Sequence, residues 1–376
     1  MSSTVVFTGG GTGGHIFPGL AVADELRQLY SEAGLPCRIV WIGSSKGMDG
    51  SFIEKSGSVD KFYGIPTGKL RRYFSLENLV DVFRIIGGCI ASFFLLLKLR
   101  PALVFSKGGF VSVPPCFAAG LLRIPVYTHE CDFSPGLATR LNSRVAKKVL
   151  LSYPQTASYF GKKFESRVEV TGNPVRPVFY QADGQRGREF LGLEKGKPLL
   201  LVLGGSSGAR QINQLVLENL DYLTAHFQVV HQTGGEKAGF DPAAVPENGG
   251  GVYKHYSFIY SEMPDVIAAA DLVLSRAGAN SLWECAVLGK AMVLVPLWGA
   301  GTRGDQVENA RFFVESGAGL SLEGDEADSQ HLKAALDRMR DDGFRAGCSQ
   351  KALQMGNGQR PAQRIARLVF DEVTSS

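Results

Sequence analysis

Hydrophobic positions along this chain fall into short apolar runs separated by longer stretches of amphipathic period. In the first half, β-branched and aromatic runs predict strands at 4–8, 38–42, 102–105, 125–128, 148–151 and 167–170. Periodic apolar positions between them predict helices at 17–30, 76–98, 111–120 and 135–142. That alternation is the rhythm of βαβ units in a doubly wound parallel sheet. Residues 171–177 read TGNPVRP, and the two prolines stop any regular element, which marks a hinge. The alternation then restarts, with strands predicted at 199–203, 227–231, 252–255, 272–274 and 292–295 and helices at 211–220, 262–269, 280–288 and 305–316. Near the end, Ala362, Ile365, Ala366, Leu368 and Val369 share one face of a helix spanning 361–373. The expected organisation is a Rossmann-like domain over 1–170, a second over 171–350, and a C-terminal helix in 351–376 packing back near the first.

Each half opens with a strand that runs into a glycine turn and then a helix. The first turn is Gly9-Gly10-Gly11-Thr12-Gly13-Gly14-His15 and the second is Gly204-Gly205-Ser206-Ser207-Gly208-Ala209. Glycine lets the backbone approach a ligand closely, and the N–H groups at the helix start favour negative charge. Gly9, Gly11 and Gly14 also satisfy the spacing of the dinucleotide fingerprint. A nicotinamide enzyme needs an acid at the end of the second strand to hold the ribose, and that strand ends in Gly43-Ser44-Ser45. A different nucleotide is therefore expected, beyond the carboxyl ends of the strands where both turns lie.

Composition narrows the class. The chain has 376 residues, 44% hydrophobic and 20% charged, enough to bury a full core in two domains. A net charge of +4 lacks the dense basic stripe of a nucleic-acid binder. Cys37, Cys89, Cys116, Cys131, Cys285 and Cys348 form no C-x-x-C pair, and the N-terminus carries no signal core, which fits a reducing cytoplasm. Residues 85–97 form a thirteen-residue apolar run, shorter than the about 20 residues that cross a bilayer. Basic Lys69, Arg71, Arg72 and Arg84 alternate upstream with Tyr73, Phe74, Leu76, Leu79 and Phe83. Two readings stand: a core helix beside a solvated loop, or a surface that docks on an anionic membrane.

The second half holds the densest chemistry. Asp271 to Glu284 reads as a strand, a small-residue turn and a helix, which puts Glu284 near the helix start, set to accept two hydrogen bonds from a ribose diol. Alone, an acid there would merely complement the helix dipole.

It does not stand alone. Gly9 to His15 with Pro18-Gly19, His129-Glu130, Thr171 to Arg176, Gly204 to Arg210, Ala277 to Glu284, and Gln306 before Asn309-Ala310 occur in the order of the MurG family, glycosyltransferase family 28. The chain resembles that family over nearly its whole length. The resemblance implies a GT-B fold, two Rossmann-like α/β domains facing a deep cleft. It implies transfer of N-acetylglucosamine from UDP-N-acetylglucosamine to an undecaprenyl-diphosphate-linked muramyl pentapeptide, by a peripheral protein at the cytoplasmic face of the bacterial inner membrane, in cell-wall synthesis. It assigns Ile259 to the uracil, Ser206 to the diphosphate, Ala279, Asn280, Ser281, Leu282, Trp283 and Glu284 to the donor wall, and Gln306 to the sugar hydroxyls. Thr12, Gly13, Gly14 and His15 would close on the donor sugar and the acceptor diphosphate, and Arg176 would contact the nucleotide side. No cofactor is implied, and no His/Asp/Glu group has metal-ligand spacing.

Two positions depart from the family pattern. Where the family reads His-Glu-Gln-Asn, this chain has His129-Glu130-Cys131-Asp132, so an amide beside the donor sugar becomes a carboxylate. Ser207 also replaces the usual glutamine of the second turn. A sugar hydroxyl needs a base as it attacks, and His15, the only histidine in either turn, suits that duty or, equally, phosphate binding. Glu130 and Asp132 are the other candidates. Rival functions are a glycolipid synthase of the same superfamily acting on diacylglycerol, and a nucleotide-sugar-binding subunit without catalysis.

Overall fold

The computed structural model describes residues 3–46, 49–68, 76–193, 196–204, 209–235, 238–245, 251–299, 302–356 and 360–375. The chain forms two compact units, residues 1–177 with 359–376 and residues 178–358. The first contains β1 (Ser3–Thr8), α1 (Gly13–Glu32), β2 (Cys37–Ser44), α2 (Asp49–Lys55), β3 (Lys61–Ile65), α3 (Leu76–Leu99), β4 (Leu103–Ser106), α4 (Val113–Leu121), β5 (Val126–Glu130), α5 (Leu137–Asn142), β6 (Lys148–Leu151) and β7 (Val168–Val170). All seven strands are parallel, in the order β3-β2-β1-β4-β5-β6-β7. Strand order reverses between β1 and β4, so the loops leaving those two strands flank the switch point where such sheets bind ligands.

Alternation along the strands builds the two faces of this sheet. Val5, Phe7, Trp41, Phe105 and Tyr127 pack with α1, while Val6, Ile42, Val104 and Val126 pack with the buried side of α3 and α4. The last helix, which becomes α14 (Pro361–Thr374) in chain order, also covers the first face: Ile365, Ala366 and Val369 are buried in the same cluster as α1. Tyr30 of α1 meets Phe370 edge-on at 4.8 Å, and Glu372 accepts from Lys147 at 2.7 Å and from Tyr127 at 3.1 Å.

The opposite face carries a different feature. Phe83, Ile86, Ile90, Phe94 and Leu97 are exposed along α3 at spacings that keep them on one helix face, with Phe83 68% and Phe94 64% accessible. Residues 81–99 are long and apolar enough to cross a membrane by length and composition, with mean hydropathy 2.0. The apolar run counted from sequence was shorter because Asp81 and Arg84 break it; in the helix they pair at 2.9 Å. Yet α3 is the crossover from β3 to β4, with Leu96 fully buried in the core. A spanning orientation would tear it from the sheet that it connects.

The second unit contains α6 (Gly184–Leu191), β8 (Leu199–Leu203), α7 (Arg210–Glu218), α8 (Leu220–His226), β9 (Gln228–Gln232), β10 (Tyr253–Tyr256), α9 (Met263–Ala269), β11 (Leu272–Ser275), α10 (Ala279–Val287), β12 (Ala291–Leu294), α11 (Asp305–Glu315), β13 (Gly319–Ser321), α12 (Ser329–Arg340) and α13 (Asp342–Gly356). Its six parallel strands run β10-β9-β8-β11-β12-β13, again reversing at the first strand.

Candidate active site

In the first unit, two glycine turns interlock at the switch point. Gly9 and Gly11 have φ of +153° and +83°, and Gly108 and Gly109, after β4, have +80° and +74°, conformations that L side chains adopt rarely. A Cβ on Gly11 would lie 2.6 Å from the Phe110 ring, and one on Gly109 would lie 2.8 Å from the His15 ring. Trp41 Nε1 donates to the Gly9 carbonyl at 3.0 Å, and Asp49 accepts the Gly11 N–H with both oxygens at 3.0 and 3.2 Å. Burial raises the Asp49 pKa, and hydrogen bonds from the Gly11 and Ser44 backbone hold the rise back. The Gly108–Gly109 turn is braced too: Asn142 donates to Ser106 and Ser112, and Ser112 donates to the Gly109 carbonyl at 2.9 Å.

Helix α1 starts at Gly13, four residues before the predicted Phe17, because the glycines that weaken its sequence signal still enter the helix. Thr12 is its N-cap, extended and exposed, and its side chain makes no capping hydrogen bond. A capping threonine would normally accept from the first turn. His15 is half-buried in that turn, and Arg176 lies over the Phe17 ring at 5.2 Å.

The end of β5 carries the candidate acids. Glu130 is 4% exposed; Oε1 accepts from the Cys131 and Asp132 N–H at 3.0 and 3.1 Å, and Oε2 accepts from the Gly136 N–H at 2.9 Å. Its carboxylate thus ties down the loop that carries Asp132, itself 9% exposed. Glu130, Cys131 and Asp132 bring three ligand atoms within 4.8 Å, a grouping that sequence spacing did not suggest. Capping of the loop by Glu130 accounts for that closeness. Beside it, His129 Nε2 meets the Gly172 carbonyl at 3.0 Å, so Nε2 carries the hydrogen. Burial and then the nearby Lys107 charge push the His129 pKa well below its ordinary value, so it is neutral.

In the second unit, α10 has Gly278 as its N-cap and so no side-chain cap, and no acid in its first turn complements its N-terminal dipole. Ala279, Leu282 and Trp283 are buried, Trp283 against the Phe313 ring at 5.3 Å, whereas Asn280, Ser281 and Glu284 are partly accessible. Any ligand contact by Leu282 or Trp283 would therefore be through backbone. Asn309 donates to the Ala277 carbonyl at 3.2 Å, and Arg276 donates to Gln211 and to the Val295 carbonyl, both at 2.9 Å, which fixes the turn before α10. Gln306 accepts from the Leu297 N–H at 2.9 Å, so its amide NH2 is the end left to point at a ligand. The Ile259 N–H is taken by Gln232 at 2.9 Å, which leaves its carbonyl as the backbone group for a base. Ser206 and Ser207 lie outside the described residues.

Residues 5–151 match the glycosyltransferase family 28 N-terminal domain and residues 199–365 match the family 28 C-terminal domain. A protein of Treponema denticola is 53% identical over 336 residues, covering 86% of this chain and 84% of its own, and one of Legionella pneumophila is 42% identical over 322 residues, covering 86% and 84%. The chain belongs to glycosyltransferase family 28. Both relatives are named UDP-N-acetylglucosamine--N-acetylmuramyl-(pentapeptide) pyrophosphoryl-undecaprenol N-acetylglucosamine transferase. The crystal structure of Acinetobacter baumannii MurG is similar at a TM-score of 0.73 and 26% identity, covering 98% of this chain and 99% of its own. A UDP-GlcNAc 2-epimerase of Neisseria meningitidis, at 13% identity and a TM-score of 0.66, shares the fold.

The two parallel-sheet units are therefore the GT-B architecture of a family 28 glycosyltransferase. Within the first unit, the fold brings Thr12, Gly13, Gly14 and His15 to the switch point with the Gly108–Gly109 turn. Glu130 ends β5, next to β4, and Asp132 follows in the loop after it. Sequence reading missed Asp49, Asn142 and Lys107 in the first unit and Gln232 in the second. Asp49, Asn142 and Gln232 act through contacts between segments distant in the chain, and Lys107, whose Nζ has no hydrogen-bond partner among the described residues, lies beside the local signal Gly108-Gly109.

Proposed function

We propose that this glycosyltransferase moves N-acetylglucosamine from UDP-N-acetylglucosamine to the 4-hydroxyl of a muramyl pentapeptide on a polyprenyl diphosphate, with inversion. The relatives' shared name supports donor and acceptor, and the start of α10, with no side-chain cap and no acid in its first turn, supports a nucleoside-diphosphate donor, because charge that develops on leaving UDP meets the positive end of the helix dipole there. Asn280, Ser281, Glu284 and Gln306 are its polar contacts, with Glu284 on the ribose, Ile259 on the uracil and Ser206 on the diphosphate. Arg176, with its guanidinium over Phe17, meets the nucleotide side.

His15 acts as the base. It takes the proton of the acceptor hydroxyl as that oxygen bonds to the anomeric carbon and the bond to the UDP oxygen breaks. The observation that carries this choice is the state of Glu130: both its oxygens already accept backbone N–H groups, so its work is to position the Asp132 loop. Thr12 and the first turn hold the acceptor diphosphate.

The exposed stripe on α3 docks on an anionic membrane, where the acceptor's lipid tail is held. Large contiguous apolar faces on soluble surfaces mark such contacts. The deciding assay is transfer of radiolabelled N-acetylglucosamine to a purified polyprenyl-diphosphate muramyl pentapeptide, with diacylglycerol in parallel. Label in the muramyl product supports the reading; label in diacylglycerol alone, or in neither, overturns it.

A further inference from the structure

Lys107 follows β4 directly and its residue is 1% exposed, yet Nζ has no hydrogen-bond partner among the described residues. Its stem lies under the first glycine turn: a Cβ on Gly9 would come within 3.2 Å of Lys107 Cβ and 2.9 Å of the His15 carbonyl. Its backbone N–H donates to the Thr8 carbonyl, which fixes it to the last residue of β1. Lys107 therefore stands at the switch point, between the end of β1 and the Gly108–Gly109 turn that it leads into.

A buried ammonium without an acceptor destabilises a fold, and a methionine of similar length would fill the same space without that cost. Among the described residues, nothing in the hydrogen-bond network uses the charge. What the charge does have is reach. Held away from water, its field is poorly screened, and it acts on His129 on the neighbouring strand. The same field extends to the turn above, where the uncapped start of α1 already favours an anion.

We propose that Lys107 is the fixed positive charge that holds the acceptor's diphosphate at the paired glycine turns, acting through space. It is a positioning residue, and the inference rests on the diphosphate-linked acceptor argued above. Because the ammonium is buried, it selects for charge and tolerates variation in the sugar and peptide. A neutral lipid acceptor would gain nothing from it.

The test uses the full chain with Lys107→Met and Lys107→Arg, saturated with UDP so that the donor turn is occupied, and inorganic pyrophosphate as probe. Thermal melting is followed with and without pyrophosphate, and KM is measured for both substrates. Lys107→Met is expected to melt no lower than the wild type, to lose the stabilisation by pyrophosphate, and to raise the acceptor KM about tenfold or more with the donor KM unchanged. Lys107→Arg is expected to keep the pyrophosphate effect. Pyrophosphate protection retained in Lys107→Met or absent from the wild type, or a fall in melting temperature with equal loss for both substrates, would overturn the proposal. If protection depends on Lys107 while the muramyl lipid is not a substrate, the anion site stands and the acceptor assignment fails.

Discussion

Asp49 holds the Gly11 N–H in a two-oxygen grip at 3.0 and 3.2 Å, so the first glycine turn already has one anion, supplied by the protein. A Cβ on Gly10 would collide with the same carboxylate, which packs α2 tightly under the turn. The turn is thus shaped before a ligand arrives. Asp49→Asn keeps a carbonyl acceptor for Gly11 and should keep most activity. Asp49→Ala removes it and should lower kcat/KM for the acceptor by about ten- to a hundredfold, with a stability loss of about 1 kcal/mol. Steady-state kinetics and thermal melting of the two variants check this; equal activity in both would show that the grip is idle.

His15 and Glu130 separate by the same reasoning. His15→Ala should leave UDP affinity near that of the wild type while transfer collapses, whereas Glu130→Gln puts an amide NH2 against backbone donors and should cost about 1–3 kcal/mol of stability. The pH profile of kcat in Glu130→Gln should retain the limb assigned to His15. A matched loss of UDP binding in His15→Ala would make His15 a binding residue.

The legible parts of the fold were those in which local sequence and tertiary role agree. Buried parallel strands such as 199–203 are apolar throughout, and so the fold class was readable. Helix α13 was not, because its buried side is Cys348, Ala352 and Gly356, a seam of small residues that gives little apolar period. Strand β3 at the sheet edge was missed for a similar reason: it is short, and Gly64 fits against the Ser45 backbone where any Cβ would clash. The roles of Glu130 and Lys107 depend on burial and loop closure, which no spacing of letters reports.

The stripe on α3 predicts a separable membrane function. Phe83→Asp with Phe94→Asp alters the two most exposed residues of the stripe and leaves Leu96 in the core. Liposome flotation with anionic vesicles should fall strongly, while transfer to a soluble, short-chain acceptor should change less than about twofold. Unchanged flotation would sink the docking assignment.

Acid should loosen the second unit through His231. That residue is fully buried, with Nδ1 at 2.9 Å from the Tyr253 hydroxyl and Nε2 at 3.0 Å from Asn213 Oδ1, and Asn213 in turn donates to the Thr233 and Ala238 carbonyls. Burial, and secondarily the His255 charge, push its pKa down from 6.5 to about 3. A lowered value means that the unfolded chain takes up a proton near pH 6.5 while the folded chain does not. The stability this group contributes is therefore present above pH 6.5 and is lost progressively as pH falls towards 3, on the order of a few kcal/mol in total. Urea unfolding between pH 7.5 and 4.5 should show that slope, and His231→Gln, less stable at pH 7.5, should show a shallower one. An identical slope in the variant would place the acid sensitivity elsewhere, with buried His129 of the first unit the next group to replace.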